Sequence, residues 1–301
     1  MHPALSIILF TTLSGLGFGL LAWLGTSSAS PDVRPAATIG AFVLASAGLV
    51  ASTFHLGHPE RAWRALSQWR SSWLSREGVM AMLTLGTVMA WWLSGFSQWL
   101  GALLALFALS TVYTTAMIYA QMRSVRQWET ALTPAVFLLL ALAGGGLLFL
   151  FAAATNSGAG VGMGSIVLIL IVAAWIVKFA WWRRADGDIE ISATRSATGL
   201  GIGGEVRLFE SPHTGTNYLL REMGFRVGRK HARTLRRIAV FAGGVVPAAG
   251  VILALAFDEL ALFVLAPAIV VHLLGVLAER WLFFAEARHA VMSYYAGAAR
   301  A

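Results

Sequence analysis

Residues 54–78 read FHLGHPERAWRALSQWRSSWLSREG, a polar, tryptophan-rich stretch set between two long apolar runs. Residues 36–56 before it and 78–96 after it are apolar enough to cross a membrane, so the stretch connects two spans. His55 ends one span and Glu77 begins the next, which places both at one membrane face, where lipid tails give way to headgroups. Between Pro59 and Ser75, Trp63, Leu66, Trp69 and Trp73 recur at steps of three and four, while Arg61, Arg64, Gln68 and Ser71 fall elsewhere. That spacing predicts a helix in the membrane plane, its tryptophan side in the acyl boundary. Pro59 suits the first turn, where a missing N–H costs nothing. Such a helix roofs the ends of the two spans and shelters a cleft beneath.

The rest of the chain reads the same way. Of its 301 residues, 58% are hydrophobic and 12% charged, with a mean hydropathy of +0.73, whereas about a quarter of a soluble chain is charged. A span needs about 20 mostly apolar residues. Eight runs qualify: 4–26, 36–56, 78–96, 99–121, 131–153, 163–182, 237–257 and 260–284. The expected fold is therefore an all-α integral membrane protein, one domain over 1–301 with about eight transmembrane helices and an interfacial helix after the second. The opening MHPALSIILF lacks a basic region and a small-residue cleavage site, so the first run is expected to be a retained helix. With no cysteine, the chain has no disulfide, no protein-ligated iron–sulfur cluster and no reactive thiol.

The basic residues carry topology. Of 22 Lys and Arg, only Arg34 lies in a connection after the first, third, fifth or seventh run. Arg61, Arg64, Arg70, Arg76, Arg123, Arg126 and a large later cluster crowd the other side. Cytoplasmic loops hold such an excess, so that side and both termini are expected in the cytoplasm. The high pI thus reports membrane orientation, and nucleic acid is not an expected partner. The long connection over 183–237 holds eleven basic residues against six acidic ones. Its mixture of Arg207, Phe209, Tyr218, Arg221, Phe225 and Arg229 reads as a docking surface, because disordered linkers are poor in aromatics. The other reading is a basic face held on anionic membrane lipids. GLGIGG within it lacks the preceding strand of a dinucleotide fingerprint and is discounted.

His55, His58, Arg61, Trp73 and Glu77 form the candidate site. An interfacial histidine titrates near neutral pH and can hold and protonate a quinone oxygen, with Glu77 passing the proton onward and Arg61 supplying fixed positive charge. The plainer alternatives are a capping histidine and a Glu77 that pairs with Arg76 or Arg61. His272 lies mid-span but has no second histidine at its depth, which argues against haem. Lys178 is expected to snorkel toward the interface. Tyr113 and Tyr119 line the cleft or form an aromatic belt. Gly15, Gly17, Gly19, Gly144–Gly146 and Gly243–Gly244 are expected at close helix approaches.

Three segments carry a resemblance: HPALSIILFTTLSGLGFGL, FHLGHPERAWRALSQWRSSWLSREG and RLFESPHTGTNYLLREMGFRVGRKHA. Together they resemble the membrane anchor subunits of the dimethyl sulfoxide reductase family (DmsC-like), and most the branch that anchors sulfite dehydrogenase (SoeC-like). The resemblance covers essentially the whole chain. It implies an eight-helix, haem-free subunit of the bacterial cytoplasmic membrane, not catalytic for the substrate by itself. Such a subunit anchors an iron–sulfur electron-transfer subunit and a molybdopterin catalytic subunit, and exchanges electrons with ubiquinone or menaquinone. The family's quinol-site histidine, arginine and glutamate fall on His55, Arg61 and Glu77. His58 and the basic central loop depart from the founding pattern and leave the direction of electron flow open. The rival class is a transporter or a proton-translocating quinone-linked subunit, which needs ionisable residues deep in several spans. A purely structural anchor is the third reading.

Overall fold

The computed structural model describes residues 3–27, 30–54, 58–156, 160–187 and 231–290. Among these residues the chain is helical, with no strand. Eight long helices follow one another: α1 Leu5–Thr26, α2 Arg34–Thr53, α3 Trp73–Leu93, α4 Gln98–Ala120, α5 Leu132–Ala154, α6 Val161–Asp186, α7 Ala232–Ala256 and α8 Ala261–Ala285. Seven are long and apolar enough to cross a membrane. The remaining one, α3, has 21 residues and so sufficient length, but Ser75, Arg76 and Glu77 dilute its apolar run.

Three boundaries differ from the sequence expectation for a physical reason. Hydropathy marks where an apolar run begins, whereas a helix begins at its cap. The Ser72 hydroxyl accepts a hydrogen bond from the Ser75 N–H (3.5 Å), so α3 starts at Trp73, five residues before its apolar run. Similarly, α7 starts at Ala232 with the polar turn ARTLRR, while α6 continues through Asp186. The roof is also corrected. Pro59–Gln68 is a 3₁₀-helix rather than an α-helix, followed by a turn. Residues three apart eclipse in a 3₁₀-helix, so Trp63, Leu66 and Trp69 still share a side. Leu66 turns toward α3, where a Cβ on Gly78 would come within 3.0 Å of its Cδ2.

The centre of the bundle is α1, which packs against α2, α4, α5 and α8 and is apolar all round, as a fully surrounded helix should be. Glycine allows these approaches at two places in particular. A Cβ on Gly17 would lie 2.9 Å from Ala45 Cα of α2, and one on Gly145 of α5 would lie 2.7 Å from Gly19 Cα.

Alternating helices bring the starts of α1, α3, α5 and α7 and the ends of α2, α4, α6 and α8 to one end of the bundle, here called the basic face. Arg184 stitches it, donating to the carbonyls of Arg126 (3.1 Å) and Glu129 (2.9 Å). Arg236 at the start of α7 bridges Asp186 at the end of α6 (2.5 Å) and Glu286 after α8 (2.8 Å). At the opposite face the α3–α4 turn needs the left-handed conformation of Gly95 (φ +67°), and the Arg34 guanidinium lies 5.5 Å from the Phe96 ring centroid.

Candidate functional site

Glu77 sits one turn into α3, beneath the roof, and is buried (6% exposed). The Thr115 hydroxyl of α4 donates to its Oε1 at 3.3 Å and shares that proton with the Thr111 carbonyl at 2.9 Å. Thr111 in turn meets Thr84 of α3 at 2.9 Å, so a ladder of buried hydroxyls fixes the α3–α4 contact below the carboxylate. Such internal bonds are needed where no water is at hand for polar groups.

The arginine beside Glu77 turns away from it. Arg76 donates to the carbonyls of Trp69 (3.0 Å) and Arg70 (2.7 Å), and its guanidinium lies 4.3 Å from the Trp73 ring centroid. It therefore pins the end of the roof to α3 instead of pairing with Glu77. Trp73 meets Tyr113 of α4 edge to face at 6.0 Å. His58 and Arg61 lie on the exposed side of the roof around Glu60, at 3.0 Å and 3.8 Å. The structure thus brings Glu77 to Thr115 and, one turn earlier on α3, Trp73 to Tyr113, while His58 and Arg61 gather on the exposed roof around Glu60. His55 lies outside the described residues, as do Arg207, Phe209, Tyr218, Arg221, Phe225 and Arg229.

Two expectations are corrected deeper in the bundle. Lys178 does not snorkel: its ammonium pairs with Glu279 of α8, and neither side chain is more than 1% exposed. Glu279 pairs also with Arg280, whose guanidinium stands 3.9 Å from the Phe137 ring centroid. A lysine inside a bundle has no interface within reach of its stem, so it must find a counter-charge in place. Lys178, Glu279 and Arg280 thus join His272 as ionisable residues buried inside the spans. The signal for the triad was present in the sequence as Glu279–Arg280 within an apolar run, with Lys178 near the same depth in another, but the pairing joins two helices far apart in the chain. His272 is buried and donates from Nδ1 to the Gly243 carbonyl at 2.8 Å, where α7 loosens into one turn of π-helix over Phe241–Val245. Tyr119 belongs to the core rather than to a belt, packed edge to face on Trp128 (5.4 Å), Phe283 (5.6 Å) and Phe284 (5.3 Å).

Where α6, α7 and α8 meet the basic face, a polar vestibule is lined by Gln127, Asp186, Arg233, Arg236, Glu286 and Arg288. Burial holds the Glu286 carboxyl above the usual carboxylate range despite its bond to Arg236. Between α1, α4, α5 and α8 lies a second, small cavity with room for about one water, bordered by Thr11, Thr12, Ser14, Thr115 and Arg280.

The family model for the DMSO reductase anchor subunit (DmsC) matches residues 1–285. A sulfite dehydrogenase subunit of Allochromatium vinosum (strain ATCC 17899) is 33% identical over an alignment of 324 positions, which takes in 98% of this chain and 99% of the relative. The anaerobic dimethyl sulfoxide reductase chain YnfH of Escherichia coli (strain K12) is 30% identical over 156 positions, 47% of this chain and 55% of the relative. No solved structure matches the chain. With apolar helices that account for its multi-pass membrane character and a family match that runs from the first residue to the end of α8, the chain belongs to the DMSO reductase anchor subunit family.

Proposed function

We propose that this chain is the membrane anchor and quinone-reactive subunit of a molybdopterin oxidoreductase complex, passing electrons between an iron–sulfur subunit and the quinone pool. The observation that carries the reading is Glu77, a buried carboxylate beneath an amphipathic roof, at the same face as the basic connections. The face is taken as cytoplasmic because it holds the arginine excess. The near full-length match to a sulfite dehydrogenase subunit, against a partial match to a dimethyl sulfoxide reductase chain, favours sulfite oxidation by the catalytic partner.

The residues suit a quinone headgroup. Leu66 over Gly78 and the Trp73–Tyr113 pair offer apolar and aromatic surface at the start of α3, and Glu77, one helical turn after Trp73, offers one group able to exchange a proton. Quinone, when bound, supplies a carrier that takes up or releases two electrons together with two protons. Glu77 holds or yields the proton at its carboxylate, Thr115 orients that carboxylate from α4, and Arg76 keeps water out by fastening the roof. His55 is assigned the hydrogen bond to the quinone oxygen, and Arg61 the positive charge at the mouth.

A transporter is disfavoured by where the charges lie. Lys178, Glu279, Arg280 and Glu77 all fall in the halves of their helices nearest the basic face. Lys178 is eight residues, or roughly 12 Å at 1.5 Å per residue, from the end of α6. No charged path crosses the other half among the described residues. The deciding experiment is purification from the native membrane. The chain is expected to bring down an iron–sulfur subunit and a molybdopterin subunit, and sulfite-dependent quinone reduction should require it while dye-linked sulfite oxidation does not. Isolation without either subunit, or quinone reduction in its absence, overturns the reading.

A further inference from the structure

On the outside of the bundle, between the end of α6 and the start of α7, lies a groove of about 590 Å³. Its apolar part is formed by Phe179 of α6 and by Phe241 and Val245 of α7, all three more than half exposed. Arg183, Arg236 and Arg237 stand at its mouth. The apolar run of α6 stops just before Arg183 and that of α7 starts at Arg237, so both guanidinium groups sit where lipid tails give way to headgroups. Val245, eight residues beyond Arg237, lies roughly 12 Å deeper at 1.5 Å per residue.

The charges at the mouth are unevenly committed. Arg236 grips both oxygens of Asp186, at 2.5 and 2.8 Å, and also binds Glu286 at 2.8 Å. Asp186, the acidic residue of the groove, is thereby occupied. Arg183 and Arg237 are exposed and make no ion pair among the described residues. Two free positive charges therefore stand over an apolar trough. We propose that the groove holds an anionic phospholipid, its phosphate between Arg183 and Arg237 and one acyl chain laid along Phe179, Phe241 and Val245. Basic pockets between membrane helices on the side of the arginine excess suit such headgroups. The inference is independent of the quinone reading.

Other occupants fit the groove less well. A second copy of the chain docked here about a two-fold axis would set Arg183 and Arg237 against their own counterparts, like charge against like. A soluble subunit cannot follow the trough to the depth of Val245. A zwitterionic lipid carries its own ammonium beside the phosphate and gains less from two arginines than a lipid with net negative charge. Because Arg183 and Arg237 bound the long basic connection over 183–237, a phosphate held between them also ties its two stems together at the membrane surface.

The test extracts the chain, with the subunits that accompany it, into detergent and strips it of lipid. Native mass spectrometry then follows the binding of phosphatidylglycerol and of phosphatidylcholine with the same acyl chains. The first phosphatidylglycerol is expected to bind roughly tenfold or more tightly than phosphatidylcholine. Arg183→Gln with Arg237→Gln should bring the two lipids to near parity. The fold should hold, since neither side chain loses a carboxylate partner. Arg123→Gln with Arg126→Gln makes the same change of charge on the same face outside the groove and should keep the preference. A phosphatidylglycerol with a photoreactive acyl chain should label the parent on the segments around Phe179 and Phe241. Equal binding of the two lipids by the parent overturns the proposal. So does an undiminished preference after the Arg183 and Arg237 changes, an equal loss in the Arg123 and Arg126 control, or labelling confined to other helices.

Discussion

Lys178 of α6 and Glu279 of α8 form an ion pair from which both solvent and lipid are excluded, and Arg280 closes on the same carboxylate from the other side. One anion therefore serves two cations. Glu279→Gln strands both and is expected to destabilise the subunit by about 3–5 kcal/mol, the usual cost of breaking a buried pair. Lys178→Met leaves a matched Glu279–Arg280 pair and should cost clearly less. Thermal unfolding of the detergent-extracted complex measures the order, and equal losses would mean that Lys178 and Arg280 do not share Glu279.

If His55 holds the quinone oxygen as proposed, His55→Ala removes a hydrogen bond to a group that becomes charged, about 1.5–3 kcal/mol, and a proton donor contributing roughly a hundredfold in rate. Quinone-coupled turnover should collapse while the complex assembles and reacts with an artificial dye. Glu77→Gln keeps the shape of the side chain, so it should slow turnover and flatten its pH dependence more than it weakens quinone binding. Parent-rate exchange with quinone in His55→Ala would move the search to other residues.

The close approach of α1 and α5 makes a packing prediction. Gly145→Ala would drive a methyl group against the backbone at Gly19 and Leu20. Overpacking of this kind costs typically about 1–3 kcal/mol, and more where the obstacle is backbone. Lower yield and a reduced melting temperature are expected, whereas Gly86→Ala, which meets nothing within 4 Å, should be silent.

Much of this architecture could be read from the sequence. Hydropathy found the spans because a membrane helix is a run of about 20 apolar residues with a local signature. The stretch over 54–78 gave the roof because its tryptophans recur at steps of three and four. That spacing could not choose between an α-helix and a 3₁₀-helix, since both place residues three apart on one side. Glu77 was legible as a carboxylate at a span's start, but the Thr115 that holds it was not, because nothing local ties a threonine in α4 to a glutamate in α3. The partner of Lys178 was hidden likewise, and an isolated lysine near a span's end ordinarily reaches for the interface.

Orientation is open to direct measurement. Reporter fusions at Arg64 or Glu129, on the basic face, are expected to lack alkaline phosphatase activity, and fusions at Ser97 or Glu259, on the other face, to have it. Activity from the Arg64 fusion would invert the bundle and with it the side from which Glu77 is served.

The docking assignment concerns the connection after α6. Deleting residues 208–229 should release the iron–sulfur partner from the membrane fraction while the helices still insert. Co-purification of an intact complex would shift the main contact to the shorter connections at Arg64–Arg76 and Arg123–Arg126.

The one-sidedness of the buried charges has an electrical meaning. A charge that crosses the full membrane works against about 2.3 kcal/mol per 100 mV, but between the level of Lys178 and the opposite face the interior of the spans holds no Lys, Arg, Asp or Glu among the described residues. If electrons arrive from a subunit docked on the basic face and protons enter at that same face, their charges cancel before either has traversed the field. Turnover would then neither build nor feel a transmembrane voltage, and the enzyme would run at the same speed in an energised cell as in a leaky vesicle.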